Sequence, residues 1–339
     1  RQSESYEKFY ENCIDGITQL TDELNNQTYE IGESTCFVVT EPSNREIWAG
    51  NFRDRIVHHV IYNRISDIFE RRFSVDSCAC IKGRGTLYGA KRLERHIRKA
   101  TKNWKKEKYF LKCDLSNFFV SINKDILFDL LKKRIPSGWF LDLVKKVLYH
   151  DPQTNVKLNS PKWKYLTVEK RKRLSLTPPN TGLPIGNLTS QFFANVLLDV
   201  LDQYVKHTLK CKYYVRYVDD FVLIADDADT LNCWYDEIQK VVQDLKLSLN
   251  PKKTVIQPVS RGVTFVGQRI TKNGRQISPA TKKRAKHKLY KSIEYIDSHI
   301  GYLTQMTNNK KYLEELLTLR LQYGVPTQGP AKKLLDSLK

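Results

Sequence analysis

The chain has 339 residues, 40% hydrophobic and 28% charged, a balance that excludes a disordered polymer and suits one large domain or two to three subdomains. Lys and Arg number 57 against 37 Asp and Glu, a formal charge of +20, which points to a polyanionic partner, nucleic acid before a membrane surface. No apolar run approaches the ~18 residues of a membrane-spanning helix, no secretory leader is expected, and the seven scattered cysteines form no C-x-x-C pair, so neither zinc nor a disulfide framework is supported and a reducing, cytosolic setting is expected.

In chain order, Phe9, Ile14, Ile17, Leu20 and Leu24 recur at roughly helical spacing and predict a helix over 3–25. Cys36-Phe37-Val38-Val39 reads as a short strand. Ile56, Val57, Val60, Ile61, Ile65 and Ile68 give residues 53–70 one apolar helical side. Gly83, Gly85 and Gly89 make 73–89 loop-like, and a basic helix is expected over 90–103. Nine basic residues and two acids lie between Lys91 and Lys108. Tyr109 to Cys113 reads as a buried strand that delivers Asp114. Residues 124–149 are helical around a break at Pro136, and 151–180 are a polar, basic, Pro-bearing insertion or long loop. Helices are expected over Gln191–Leu209 and over 229–247. A strand pair follows around Val255-Ile256 and Val263-Thr264-Phe265-Val266. Between Arg269 and Ile293 stand nine basic residues and no acid, opening a helical C-terminal module. Lys and Arg in such runs neutralise phosphates, and Trp104, Tyr109 and Tyr290 are placed either to stack on bases or to pack in the core. His58 and His59 lack spaced metal-ligand partners and read as structural.

The chemistry concentrates at Tyr217-Val218-Asp219-Asp220. The tetrad lies between Tyr213-Tyr214-Val215 and Phe221-Val222-Leu223-Ile224-Ala225, a pattern of strand, tight turn and strand. Two adjacent acids at such a tip repel each other and are desolvated. A divalent cation compensates, since carboxylates are hard oxygen ligands suited to Mg²⁺. Asp114 adds a third carboxylate at another strand end. Three acids from two neighbouring strands can hold two metal ions about 3.5–4 Å apart, the arrangement that clamps the attacking and leaving oxygens of an in-line displacement.

With these residues in place the chain resembles reverse transcriptases of the prokaryotic type, over most of its length. Asp54-Arg55-Ile56-Val57 is similar to their first motif, and Lys82-Gly83-Arg84-Gly85 falls in the second. Asp114 through Phe119 matches motif A and Tyr217 through Asp220 motif C. Leu249-Asn250-Pro251-Lys252-Lys253-Thr254 is similar to motif D, and Val263-Thr264-Phe265-Val266-Gly267 to the primer-grip motif E. Motif B departs from the common Gln-Gly-x-x-x-Ser-Pro, reading Ile185-Gly186-Asn187-Leu188-Thr189-Ser190-Gln191. Ile for Gln and Gln for Pro resembles the reverse transcriptases of diversity-generating retroelements in phages and bacteria.

The resemblance implies an α+β right-hand polymerase. Fingers would span 1–109 with the 150–184 insertion, an antiparallel palm 110–149 and 185–268, and a helical thumb 269–339. It implies two Mg²⁺ ions, with Mn²⁺ as a substitute, on Asp114, Asp219 and Asp220. It implies triphosphate contacts from Lys82 and Arg84, a steric gate at Phe119 against the ribose 2′-hydroxyl, and a proton donor at Lys253 or Lys252. Gly186 would approach the nascent base pair, with Ile185 and Gln191 beside it. Ligands would be template RNA, primer or cDNA and deoxynucleotides. The implied protein partner is the accessory variability determinant, a small helical protein that forms a basic pentamer. Low fidelity at template adenines is implied too, because Ile185 lacks the amide with which Gln steadies the incoming nucleotide. A faithful retron, group II intron-like or anti-phage defence enzyme is the alternative, and a non-enzymatic nucleic-acid scaffold a further one.

Overall fold

A computed structural model describes residues 4–41, 43–286, 293–307 and 309–322. Helices α1 (Glu4–Glu11) and α2 (Cys13–Asn25) precede strands β1 (Ser34–Val39) and β2 (Arg45–Gly50). Then come α3 (Phe52–Glu70), α4 (Thr86–Ala100), β3 (Tyr109–Asp114), α5 (Phe118–Ser121), α6 (Lys124–Lys132), α7 (Trp139–Tyr149), β4 (Val156–Leu158), α8 (Lys162–Leu166) and α9 (Leu188–Gln203). Strands β5 (Tyr213–Tyr217) and β6 (Asp220–Ala225), α10 (Ala228–Asp244), β7 (Val255–Pro258), β8 (Val263–Phe265), β9 (Gln268–Thr271) and β10 (Gly274–Ile277) follow. Helices α11 (Pro279–Lys286), α12 (Ile293–Thr304) and α13 (Lys310–Gln322) complete the order. Contacts divide the chain into two compact units. One gathers the chain up to Val75, Asp114–Leu209 and Asp236–Lys252; the other gathers Asp76–Cys113, Lys210–Tyr235 and the chain from Lys253 on.

The first unit is built on α3 and α9. Asn51 caps α3 by accepting from the Asp54 amide, and Val57, Ile61, Ile65 and Phe69, four residues apart, form its buried stripe. Helix α9 is buried over most of its surface, with the polar Thr189, Ser190, Asn195 and Asp202 buried beside its apolar residues. Phe192 receives the edges of Tyr62 and Phe69 at centroid distances of 5.4 and 5.9 Å. The expected helix to Leu209 continues past α9 as one π turn, Tyr204–Thr208. Beside these helices β2, β1 and β4 form a sheet in that order. β1 pairs antiparallel with β2, Ser34 opposite Gly50, and parallel with β4, Ser34 opposite Val156. β4, α8 and two 3₁₀ turns lie within 151–180, so the expected loop is largely folded. Val156, Tyr165 and Leu174 hold it down on Cys36 and Trp48. At the N-terminus the single expected helix is two, broken at Asn12. Ile14 and Ile17 stay exposed, leaving Leu20 as the buried anchor of α2.

The second unit holds a four-stranded sheet in the order β5-β6-β3-β7 and a three-stranded sheet in the order β10-β9-β8. Val215, Val222 and Phe110 from the first, Val263, Phe265 and Ile270 from around the second, and Leu93 and Ile97 of α4 share one core. Three expectations need correction here. β7 pairs with β3, Tyr109 opposite Pro258, and β8 with β9, so β7 and β8 are not partners. Residues 268–277 are the β9–β10 hairpin, and helix resumes only at Pro279. Helix α4 starts at Thr86, inside the expected loop. Gly89 sits within that helix, and a Cβ there would meet Cys78 and Phe265 at 3.4 Å, ordinary van der Waals contact. Helices α12 and α13 pack on each other through Ile296, Ile300, Leu303, Leu313, Leu316 and Leu317.

Candidate active site

The acidic tetrad forms the strand, turn and strand that its pattern predicts. β5 and β6 pair from Tyr213 opposite Ile224 to Tyr217 opposite Asp220, leaving a two-residue turn of Val218 and Asp219. Val218 has φ of +55°, while Asp219 keeps a negative φ. Positive φ at the first central residue alone is the pattern of a type II′ turn, which normally takes Gly there. A β-branched residue in this region is strained, and such strain persists where the surroundings over-determine it.

Asp114 is the last residue of β3, the strand next to β6. It is 9% exposed. Lys112, two residues earlier and therefore on the same face of β3, reaches Asp220 at 3.1 Å. That contact ties Lys112 to the first residue of β6, across the two inner strands of the sheet. Asn250 turns back onto the same point: its amide donates to the Asp114 carbonyl at 2.8 Å and its Nδ2 lies 3.4 Å from Asp114 Oδ2. Lys112 and Asn250 are site residues that sequence reasoning missed. The (i, i+2) spacing of Lys112 and Asp114 was the available signal.

Among the described residues, no group of three or more His, Cys, Asp and Glu side chains gathers closely enough to hold a metal ion as placed. Asp220 pairs with the Lys112 ammonium, and Asp114 lies within reach of the Asn250 side-chain amide. The chemistry of the donors fits a divalent cation, since Asp114, Asp219 and Asp220 all offer carboxylate oxygen.

The remaining predicted residues take varied positions. Lys82 is exposed in the turn before α4. Arg84 lies half-buried, its Nη1 donating to the Ser77 carbonyl at 2.8 Å and its guanidinium over the Tyr88 ring. In α5 Phe118 is buried, and Phe119 is half-buried with its ring 5.3 Å from Phe118. The Ile185 carbonyl accepts from the Trp48 amide at 2.7 Å, which fastens motif B to β2. Gly186 follows with φ of +135°; a Cβ there would stand 2.6 Å from the Trp48 carbonyl oxygen. Asn187 accepts from the Gly50 amide at 3.0 Å. Gln191 is exposed on the first turn of α9, and Lys252 and Lys253 are exposed on a 3₁₀ turn.

His58, expected to be structural, stands on α3 facing α9. It is buried, bonds Thr189 Oγ1 through Nδ1 at 2.8 Å, and burial pulls its pKa down to about 4, with help from the nearby His150, His59 and Arg55 charges. Asp54 of the first motif is likewise buried, accepting from the Tyr29 hydroxyl at 2.7 Å and the Gly32 amide at 3.0 Å. Trp104 is half-buried and packs against the core of the second unit. Tyr290 and part of the second basic run lie outside the described residues.

These strands and helices form a right-hand polymerase fold. Solved telomerase structures share it: the Candida albicans telomerase in complex with a fragment of telomeric RNA aligns at TM-score 0.53 and 14% identity, over 86% of this chain and 54% of that one. The Candida tropicalis telomerase complex aligns at 0.52 over 90% and 56%. Residues 42–270 match the family model for reverse transcriptase (RNA-dependent DNA polymerase), and the chain belongs to that family. Among curated relatives, protein YkfC of Escherichia coli is 23% identical over 251 residues, 64% of this chain and 61% of its own length. The COX1/OXI3 intron 2 protein of Saccharomyces cerevisiae is 21% identical over 315 residues, 75% of this chain. The chain spans about a third of that yeast protein, 34%. No described helix is long and apolar enough to cross a membrane.

Proposed function

We propose that the chain is an RNA-directed DNA polymerase that extends a primer 3′-hydroxyl with deoxynucleotides along an RNA template. The observation that carries this reading is the tight β5–β6 turn, which bears Asp219 and Asp220 in the four-stranded sheet that also contains β3; Asp114 would add the third carboxylate. Those carboxylates would hold Mg²⁺, which supplies Lewis acidity toward the 3′-hydroxyl and charge neutralisation for the leaving pyrophosphate. Lys82 and Arg84 would receive the triphosphate, with Arg as a fork and Lys as a point charge. Phe119 would stand against the 2′-hydroxyl, Gly186 and Ile185 beside the nascent pair with Gln191 near them, and Lys253 near the pyrophosphate. On this reading fingers, palm and thumb follow the divisions the motifs imply.

The finer proposal is a mutagenic enzyme of the diversity-generating kind. It works in a bacterial cytoplasm with a small helical accessory protein and makes errors opposite adenine. The departures in motif B, Ile185 for Gln and Gln191 for Pro, support it. A second reading, an intron-type enzyme, is favoured by the curated relatives from yeast introns. Primer extension on an RNA template with four deoxynucleotides and Mg²⁺, followed by cDNA sequencing, tests both levels. Asp219→Ala/Asp220→Ala should lower incorporation by about a thousandfold, since metal charge stabilisation contributes several kcal/mol and each 1.36 is tenfold. Retained synthesis in that variant sinks the polymerase reading. Errors concentrated opposite adenine support the mutagenic enzyme, and accurate cDNA the intron-type one.

A further inference from the structure

We propose that Arg216 is a positioning residue: its guanidinium selects the conformation of the Val218-Asp219 turn and thereby aims the Asp219 carboxylate. The inference rests on the reading of Asp219 as a metal ligand.

Arg216 interrupts an otherwise aromatic and apolar strand and is fully buried. A guanidinium there is strongly unfavourable unless its donors are used. Nη1 donates to the Val218 carbonyl at 3.0 Å, and Nη2 to Ser77 Oγ at 2.9 Å. Its backbone is fixed as well. Ser77 bridges Arg216 in the parallel sense: the Arg216 amide donates to the Asp76 carbonyl, and the Cys78 amide to the Arg216 carbonyl, both at 2.9 Å. Asp76 is in turn held by Arg92 at 2.6 Å and His96 at 2.8 Å. The guanidinium is therefore a fixed fork under the turn.

The Val218 carbonyl belongs to the middle peptide of a two-residue turn. Rotating that peptide interconverts two hairpin turns. One has positive φ at the first central residue only; the other has it at both. The observed turn is the first kind. Rotation would carry the carbonyl away from Arg216 and bring the Asp219 N–H toward it, donor facing donor. It would also move Asp219 to positive φ and swing its Cα–Cβ bond. Val218 does not favour this turn by itself, because its branched Cβ is strained at φ of +55°. The hydrogen bond from Arg216 decides which turn forms. Ser77 also accepts from Arg84 through its carbonyl at 2.8 Å, so one residue anchors both the fork and the side chain proposed to meet the triphosphate.

The test is Mn²⁺ binding to the full chain, without nucleotide or turnover, read from loss of the free-ion electron paramagnetic resonance signal, with circular dichroism melts alongside. Asp219→Asn should weaken binding at least tenfold. Arg216→Met should do the same by roughly tenfold, the scale of a lost charged hydrogen bond, and Arg216→Lys should recover part of that loss. If Arg216→Met does not fold, Ser77→Ala carries the test, because it frees one arm of the fork without adding a buried charge; it should weaken binding roughly fivefold. Unchanged binding in Asp219→Asn means that the metal reading has failed. Weakened binding there, with parental binding in a folded Arg216→Met, or in Ser77→Ala where the Met variant does not fold, overturns the positioning role.

Discussion

Gly186→Ala tests how tightly motif B is seated. The added Cβ would stand 2.6 Å from the Trp48 carbonyl oxygen, with Ile47 Cγ2 and the Trp48 carbonyl carbon at 3.1 Å. The first neighbour is backbone of β2, so no rotamer change relieves it. The segment cannot back away, because Ile185 and Asn187 on either side are bonded to the Trp48 and Gly50 amides. Two costs add: a φ of +135° that side chains rarely adopt, about 1–3 kcal/mol, and overpacking, about 1–3 kcal/mol. The sum is about 2–6 kcal/mol against a total stability of about 5–15 kcal/mol. Gly138 separates the two costs. It has φ of +133° and nothing within 4 Å of an added Cβ, so Gly138→Ala carries the conformational cost alone. Urea unfolding of both variants at unchanged m-value measures the difference, expected at about 1–3 kcal/mol in the direction of greater damage at Gly186. Equal losses at the two glycines would refute the clash with β2, and with it the close seating of motif B.

Two further outcomes are expected. His58 titrates near 4 when folded against 6.5 when free, so the unfolded chain binds its proton first as pH falls. Its contribution is fully present above pH 6.5 and is lost between 6.5 and 4, about 3 kcal/mol at most for a shift of 2.5 units. Unfolding free energies from pH 7.5 to 4.5 should fall less steeply in His58→Gln than in the parent; parallel curves would remove His58 as the cause. Asp54, whose carboxyl burial raises, acts in the opposite sense in both proteins and cancels in the difference. Ile185→Gln restores an amide beside Gly186 and should lower the share of errors opposite adenine in sequenced cDNA while synthesis continues; an unchanged error spectrum rejects the link between motif B and fidelity.

What was legible in the sequence was local. Tyr213 to Ala225 announced a hairpin because its apolar flanks and paired acids lie within one short window, and α6 and α7 were separable at Pro136 for the same reason. The missed elements depend on partners far along the chain. Residues 268–277 read as a basic approach to a helix, yet β9 is held by Val263 and Phe265 of β8. Gly89 read as loop, yet it lies inside α4, buried where that helix packs on Cys78 and Phe265.

The same distinction governs the site. Each carboxylate could be nominated from its neighbours in sequence, but what orients it could not. Lys112 meets Asp220, and Asn250 meets Asp114, only after β3 has been laid beside β6 and the segment after α10 has returned. Arg216 stands in the sequence as a charge inside an apolar strand, an anomaly to which the local pattern assigns no role. Its burial and its bond to Val218 turn that anomaly into a constraint on the turn. A buried charge is costly wherever an apolar residue would pack as well, so a guanidinium under a strained acidic turn is accounted for by what it holds in place. Where a catalytic motif contains a charge that its strand has no packing reason to keep, that charge is the first place to look for the motif's support.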